Sequence, residues 1–213
     1  MGPMCQKRRG TRGHWPVIGS RPWVALNPTT PVCAAGPRKE IGFRTLFNLL
    51  GPLTNPAGAA AQVVGVYDGA LVDRIAMVLL KLGARHCFVV HGADGLDEVS
   101  VTGKTLIAEG KDGVVNTYSI EPKDFGIVPA RLEEIRGGGP EENARILEDI
   151  LKGRPGPKRD VVLLNAAPAL VAAGKAASLE EGARLAGRAI DSGEAENKLV
   201  ALRKFLRRPH DVS

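Results

Sequence analysis

From about residue 40 onward, segments typical of strands alternate with segments typical of helices, and this alternation restricts the possible folds most strongly. Buried strands are predicted at residues 62 to 67 and 86 to 91. Between them a helix is predicted, with Asp68 as its cap and Gly83 as its end. Its apolar residues recur at the spacing of one helical face and are Leu71, Ile75, Val78, Leu79 and Leu82. Such alternation predicts an α/β fold, with a mostly parallel sheet flanked by helices.

Two short β-prone runs, at residues 104 to 108 and 114 to 120, predict an antiparallel hairpin with a tight turn. A helix is predicted from Pro140, a residue favoured at the first helical position, to Gly153. Residues 161 to 164 predict a further strand. Helices are predicted in the last part of the chain, at residues 165 to 174, from Ser178 onward with Glu181 in a capping box, and at residues 194 to 206.

The positive charge of the chain is concentrated at its N-terminus. Residues 1 to 36 carry five of the six net positive charges and no acid, whereas the remaining residues hold 24 basic and 23 acidic side chains. These first 36 residues also show no periodic apolar pattern, so we predict a basic, disordered tail at 1–36 and one domain at 37–213. Five charges without repeated aromatic spacing are a weak nucleic-acid signal, and we predict no nucleic-acid partner.

Composition excludes several classes of protein. Hydrophobic residues make up 44% of the chain and charged residues 24%, the balance of an ordinary globular protein. No apolar run approaches the roughly 20 residues that a membrane span needs, and the N-terminus lacks a signal-peptide pattern. Cys5, Cys33 and Cys87 are too scattered for a disulfide framework or a zinc site. A cytoplasmic location without membrane contact is therefore expected.

The densest polar loop, Gly-Ala-Asp-Gly-Leu-Asp-Glu at residues 92 to 98, directly follows the second predicted strand. Loops at the carboxyl ends of strands are where open α/β sheets usually place ligand sites. Asp97 and Glu98 are adjacent carboxylates that can both face a hard cation such as Mg²⁺, which commonly uses one or two carboxylates plus substrate phosphate. Taken alone, the pattern also fits solvated loop acids.

A second stretch, at residues 38 to 56, predicts a short helix that Gly51-Pro52 stops, followed by an Asn-Pro turn. Arg38, at its start, could hold a carboxylate in a bidentate fork. A solvated helix with a C-cap and a turn is the structural alternative.

Together, these two stretches closely resemble the anthranilate phosphoribosyltransferase family. The motifs are Arg-Lys-Glu-Ile-Gly-Phe-Arg-Thr-Leu-Phe-Asn-Leu-Leu-Gly-Pro-Leu-Thr-Asn-Pro at residues 38 to 56 and Gly-Leu-Asp-Glu-Val-Ser at residues 95 to 100. Further similarity includes Asp-Phe-Gly at 124 to 126, Gly-Gly-Gly-Pro-Glu-Glu-Asn-Ala at 137 to 144 and Leu-Asn-Ala-Ala at 164 to 167. The family usually has an acid where Gly139 stands.

The resemblance implies the large α/β domain of the nucleoside phosphorylase and anthranilate phosphoribosyltransferase type of fold. It implies transfer of phosphoribosyl from phosphoribosyl pyrophosphate (PRPP) to anthranilate with release of pyrophosphate, a step of tryptophan biosynthesis. Arg38 matches the arginine that contacts anthranilate, Gly51 and Pro52 match the turn beside the anthranilate tunnel, and Asp97 and Glu98 match the Mg²⁺-binding acids. No residue is predicted as a nucleophile, because the amine of anthranilate attacks the sugar directly.

Three family segments are not visible in residues 1 to 36, namely the donor-binding Gly-Thr-Gly-Gly-Asp loop and the Lys-His-Gly-Asn and His-Pro-x-Met segments. We therefore expect little turnover by this chain alone. Family members dimerise through a small helical domain that we also expect to be absent. A shifted reading frame is one hypothesis for residues 28 to 34. Two alternative functions stay open, a non-catalytic remnant that binds anthranilate or a partner, and an enzyme like the pyrimidine nucleoside phosphorylases.

Overall fold

The computed structural model describes residue 53 and residues 59 to 206. The predicted tail at 1–36 and the predicted anthranilate contacts Arg38, Gly51 and Pro52 lie outside the described residues. The same is true of the start of the predicted domain at residue 37.

Four strands and six α-helices make up the described part of the chain. The strands are β1 Ala61–Gly65, β2 His86–Gly92, β3 Thr105–Lys111 and β4 Val114–Ile120. The helices are α1 Val72–Lys81, α2 Leu132–Ile135, α3 Pro140–Leu151, α4 Pro157–Ala172, α5 Leu179–Asp191 and α6 Glu194–Leu206. Short 3-10 helices occupy Gly69–Leu71 and Pro122–Phe125. Within these residues, no helix combines the length and apolar character that a membrane crossing requires.

The four strands form one mixed sheet in the order β1-β2-β3-β4. β1 pairs with β2 in parallel, whereas β2 with β3 and β3 with β4 are antiparallel. The predicted α/β class is confirmed, and the described sheet is mixed rather than wholly parallel. Because β1 and β2 run in the same direction, their carboxyl ends meet at one edge of the sheet.

Both faces of β2 are buried. Cys87 and Val89 point to one side of the sheet, where they pack with α1, and Phe88 and Val90 point to the other side, where they pack with α4. Successive side chains of a strand alternate between faces, so a continuous apolar run suits a strand that is covered on both sides. The free thiol of Cys87 is thus part of the core.

The predicted helix after β1 is confirmed, with a different buried face. Asp68 accepts a hydrogen bond from the backbone N–H of Ala70 at 2.9 Å and caps the short 3-10 turn that leads into α1. Val78 and Leu82, predicted to lie on the apolar stripe, are exposed. The buried side chains of α1 are Val72, Ile75, Ala76 and Leu79.

The predicted strand at residues 161 to 164 is wrong, because these residues belong to α4. Four consecutive apolar residues fit a buried strand and a buried helix equally well. Leu164, Ala167, Pro168 and Val171 are buried in α4, which is the i, i+3, i+4, i+7 spacing of one helical face.

The predicted N-terminal cap of α5 is confirmed, except that one of its two hydrogen bonds reaches a different residue from the one predicted. The Ser178 hydroxyl accepts a hydrogen bond from the backbone N–H of Glu181 at 3.2 Å. The Glu181 carboxylate reaches back to the N–H of Ala177 at 2.7 Å, one residue earlier than a reciprocal capping box would place it. Both bonds satisfy donors at the start of α5, the helix that packs most extensively on α4.

Candidate functional site, an acidic turn beyond the second strand

A tight turn follows β2 at the edge of the sheet where β1 also ends. The N–H of Gly92 donates to the carbonyl of Leu96 at 2.8 Å, and the N–H of Gly95 donates to the carbonyl of Gly92 at 2.9 Å. Gly95 has a φ of 87°, a conformation that glycine adopts without steric cost. The chain therefore folds back on itself before it reaches Asp97 and Glu98. We refer to residues 92 to 98 as the acidic turn.

Asp94 holds the acidic turn together from inside. Its carboxylate accepts hydrogen bonds from the hydroxyl of Ser100 at 2.5 Å, the hydroxyl of Thr102 at 2.7 Å and the N–H of Leu96 at 3.1 Å. Partial burial acts to raise the pKa of Asp94, but these hydrogen bonds outweigh it and lower the pKa below its ordinary value. Asp94 is therefore an ionised structural residue whose oxygens are already engaged.

Asp97 and Glu98 are exposed like Asp94, but they differ from it in their hydrogen bonding. Within the part of the chain that the structure describes, neither carboxylate forms a hydrogen bond or an ion pair. Partial desolvation, followed by the adjacent negative charge of Asp97, raises the pKa of Glu98 above its ordinary value. A cation between the two side chains would relieve that repulsion, so the pair has the charge and freedom that a cation site needs.

Gly65, the last residue of β1, lies against the backbone of Asp97. A Cβ atom built on Gly65 would overlap the carbonyl oxygen of Asp97. Only a residue without a side chain permits this approach. The end of β1 thus sets where the backbone of the acid pair can lie.

On the other side, Asn165 of α4 holds the residue that follows the pair. Its Oδ1 accepts a hydrogen bond from the N–H of Val99 at 2.8 Å, and its Nδ2 donates to the carbonyl of Val99 at 2.9 Å. The second proton on Nδ2 goes to the carbonyl of Val161 at 3.0 Å, one turn earlier in the helix. The side chain of Val99 is 2% exposed and packs in the same core cluster as Leu164.

The donor set suits Mg²⁺ rather than a softer metal. Two exposed carboxylates are oxygen ligands, and Mg²⁺ commonly uses one or two of them while it keeps several waters and binds substrate phosphates. Among residues 59 to 206, no group of three or more histidines, cysteines or acids could hold a metal ion by itself. The pair therefore fits a cation that a phosphorylated ligand shares, and it does not fit a closed protein cage.

The acidic turn is distinct from a groove of about 300 Å³ beside the start of α4. Arg154 and Arg159 line this groove, and both form ion pairs, with Asp149 at 2.7 Å and Asp191 at 2.8 Å. Arg159 thus links α4 to α5, whereas Arg154 joins the loop after α3 to that same helix. The chemistry indicated by the sequence lies elsewhere, at Asp97 and Glu98.

The sequence predicted the acid pair but did not predict the residues that position it. Gly65 was predicted only as a residue of a strand. Asn165 was noted only within the Leu-Asn-Ala-Ala segment that resembles the anthranilate phosphoribosyltransferase family. The one available signal for Asn165 was an amide side chain beside a buried leucine in an otherwise apolar helix. Buried polar groups need partners, so such a residue indicates a specific contact.

Comparison with known proteins identifies related chains. A protein-family model described as "Glycosyl transferase family, a/b domain" matches residues 27–196. This range begins inside the predicted tail. An anthranilate phosphoribosyltransferase from Symbiobacterium thermophilum is 56% identical over 171 residues, which cover 80% of this chain and 50% of the relative. The crystal structure of anthranilate phosphoribosyltransferase from Thermus thermophilus has 45% identity and a TM-score of 0.74, and the match covers 82% of this chain and 51% of that one.

A third relative was solved with ligands. Anthranilate phosphoribosyltransferase from Saccharomyces cerevisiae in complex with PRPP and Mg has 34% identity and a TM-score of 0.66, with 76% of this chain and 47% of that chain covered. The yeast protein was also solved in complex with 4-fluoroanthranilate.

The fold and the acidic turn define an α/β domain that presents paired carboxylates at the carboxyl ends of its strands. The chain belongs to the glycosyl transferase family, through the a/b domain that its sequence matches. Its high-identity relatives are anthranilate phosphoribosyltransferases, and the chain spans about half the length of those relatives.

Proposed function

We propose that this protein takes part in the transfer of phosphoribosyl from PRPP to anthranilate, with Mg²⁺ held by Asp97 and Glu98. The observation that supports this most directly is the exposure of two adjacent carboxylates, unpaired among the described residues, at the edge where β1 and β2 end. Mg²⁺ and PRPP in the solved yeast relative support the same assignment. The reaction places the protein among the pentosyltransferases of tryptophan biosynthesis, with a cytoplasmic location.

The chemistry demands little covalent participation from the protein. The amine nitrogen of anthranilate forms a bond to the anomeric carbon of the sugar and loses one proton, while the bond from that carbon to pyrophosphate breaks and pyrophosphate keeps the electron pair. Bound Mg²⁺ would neutralise the negative charge that develops on the departing pyrophosphate. The part of Asp97 and Glu98 is to supply two anionic ligands, at the end of a turn that the hydrogen bonds of Asp94 hold together.

Anthranilate is the acceptor in this assignment, and Arg38, Gly51 and Pro52 are its proposed contacts. The complex of the yeast relative with 4-fluoroanthranilate supports the substrate class. Little turnover by the 213-residue chain alone stays a prediction.

Binding of Mn²⁺ in the presence of pyrophosphate tests the metal role. Mn²⁺ replaces Mg²⁺ on oxygen ligands and can be followed by water-proton relaxation. We expect the Asp97→Asn/Glu98→Gln double variant to lose this binding. The matched control is Glu141→Gln/Glu142→Gln, since those two acids are also adjacent and exposed. Equal binding by the acid-pair variant and the wild type would show that Asp97 and Glu98 are not the ligands.

A steady-state assay of anthranilate consumption tests the transfer itself. Turnover that depends on Asp97 and Glu98 would support transferase activity in this chain. Anthranilate binding by calorimetry with no turnover would favour the non-catalytic alternative. Normal turnover by the purified chain would contradict the expectation of low activity.

A further inference from the structure

We propose that Asn165 is a positioning residue for the acid pair, which it acts on through the backbone of Val99. This inference rests on the proposed metal role of Asp97 and Glu98. It concerns a side chain that touches neither the cation nor the substrate in the assignment above.

The amide of Asn165 is oriented by its hydrogen bonds. Its Oδ1 meets a backbone donor, and both protons of Nδ2 meet backbone carbonyls, at distances of 2.8 to 3.0 Å. Exchanging the oxygen and nitrogen would place donor against donor and acceptor against acceptor, so the network fixes the orientation. Three of its four hydrogen-bonding positions are thereby used, and the side chain is locked.

The fixed side chain of Asn165 in turn holds the backbone of Val99 in place. One side chain satisfies both the N–H and the carbonyl of the same residue, which a strand partner would otherwise do. Val99 directly follows Glu98, so fixing its two peptide groups fixes the direction in which the acid pair leaves the turn. The bond from Nδ2 to Val161 ties the arrangement to the first turns of α4.

Three restraints thus surround Asp97 and Glu98 from different parts of the chain. Gly65 contacts the backbone of Asp97 from β1, and Asp94 closes the acidic turn from within. Asn165 is the restraint that comes from the helical layer. Residues that orient metal ligands in this manner typically contribute 10- to 100-fold, in order of magnitude, to metal affinity.

The test is a Mn²⁺ titration of the full 213-residue chain in the presence of pyrophosphate, monitored by NMR line broadening of backbone amides and by water-proton relaxation. In the wild type we expect broadening centred on residues 97 to 99. Asn165→Leu preserves the size of the side chain and removes all three hydrogen bonds. We expect it to raise the Kd for Mn²⁺ by about 10- to 100-fold.

The chain offers a matched control in Asn143. This asparagine also holds one residue by both backbone groups, accepting from the N–H of Gly138 at 2.9 Å and donating to its carbonyl at 2.9 Å. Asn143→Leu should leave the Kd for Mn²⁺ unchanged. Asn165→Ala is the second test variant, because alanine is the strongest helix former and keeps α4 intact if leucine does not fit.

A separate readout distinguishes positioning from general stability. In a folded Asn165 variant, hydrogen exchange at the Val99 amide should accelerate, while amides in the middle of β2 stay protected. A folded variant with wild-type Mn²⁺ affinity would overturn the inference. If Asp97→Asn/Glu98→Gln abolishes Mn²⁺ binding in the same series, the proposed metal role survives that result. If wild-type Mn²⁺ broadens no signal near residues 97 to 99, both the metal role and the inference fail.

Discussion

Two tight turns of the sheet achieve chain reversal in different ways. The hairpin turn between β3 and β4 is fixed by its own two residues, since Asp112 and Gly113 have φ values of 51° and 82° and Lys111 pairs with Val114. Positive φ at both positions is the type I′ geometry that joins antiparallel strands, and the predicted hairpin is confirmed. The acidic turn also reverses the chain through local hydrogen bonds, but the residues at its end are contacted by Gly65 and Asn165, which are far away in the sequence. Reversing a chain needs only local residues, whereas aiming functional groups needs contacts from other elements.

The largest effect is expected from Gly65→Ala. The added methyl group would overlap the Asp97 carbonyl, so either the acidic turn or the end of β1 must move. We expect the free energy of unfolding to fall by about 3 kcal/mol, in the range for overpacked sites. Urea denaturation measures this change.

The control for this substitution is Gly103→Ala. A Cβ on Gly103 meets no atom within 4 Å, and its φ is not positive. A change within about 0.5 kcal/mol is expected there, as for most surface substitutions. Similar destabilisation in the two variants would mean that the acidic turn does not depend on close approach by β1.

Asp94→Asn should have an intermediate effect. The substitution removes the charge that two hydroxyl groups and one N–H now stabilise, and a loss of about 1.5 kcal/mol at pH 7 is expected from hydrogen-bond energies alone. Because the pKa of Asp94 is lower in the folded state, its stabilisation is fully present above the unfolded pKa of about 4.

The lowered pKa of Asp94 also predicts how the stability difference between the wild type and Asp94→Asn varies with pH. The stabilisation by Asp94 should decline as the pH falls below about 4 and through the lower pKa of the folded state. Denaturation curves of the two proteins should therefore converge in acid. A constant difference from pH 7 to acid would show that the carboxylate charge does not hold the turn.

The smallest effect is expected from Gly113→Ala in the hairpin turn. A side chain at a φ of 82° costs about 1 kcal/mol, and the substitution alters no contact with the acid pair. Unfolding measurements should show that loss, and Mn²⁺ affinity should stay at the wild-type value. A marked loss of Mn²⁺ binding would show that the hairpin turn also affects the acid pair.

Much of the fold could be predicted because its signals are local. The strands, the hairpin and the cap of α5 each follow from residues within a few positions of one another. The error at residues 161 to 164 arose where the local signal was ambiguous, and the helix became evident only from which side chains α4 buries. Val78 and Leu82 were misassigned for the same reason, since periodicity alone does not show which side of α1 meets the sheet.

The candidate site could be predicted only in part. Asp97 and Glu98 were identifiable because two adjacent acids follow a strand within a specific motif. The roles of Gly65 and Asn165 depend on proximity between β1, the acidic turn and α4, which no spacing in the sequence expresses. Where Arg38, Gly51 and Pro52 lie relative to the acid pair is likewise a tertiary property, and their predicted roles stay untested.

The buried side chain of Val99 has one further consequence. Because Val99 is 2% exposed and follows Glu98 directly, a swing of the acid pair away from the sheet edge would pull a valine into water. Exposing such a side chain costs on the order of 1.5 to 3 kcal/mol. On heating, the capacity to bind a divalent cation should thus vanish at the same temperature as the cooperative melting of the core.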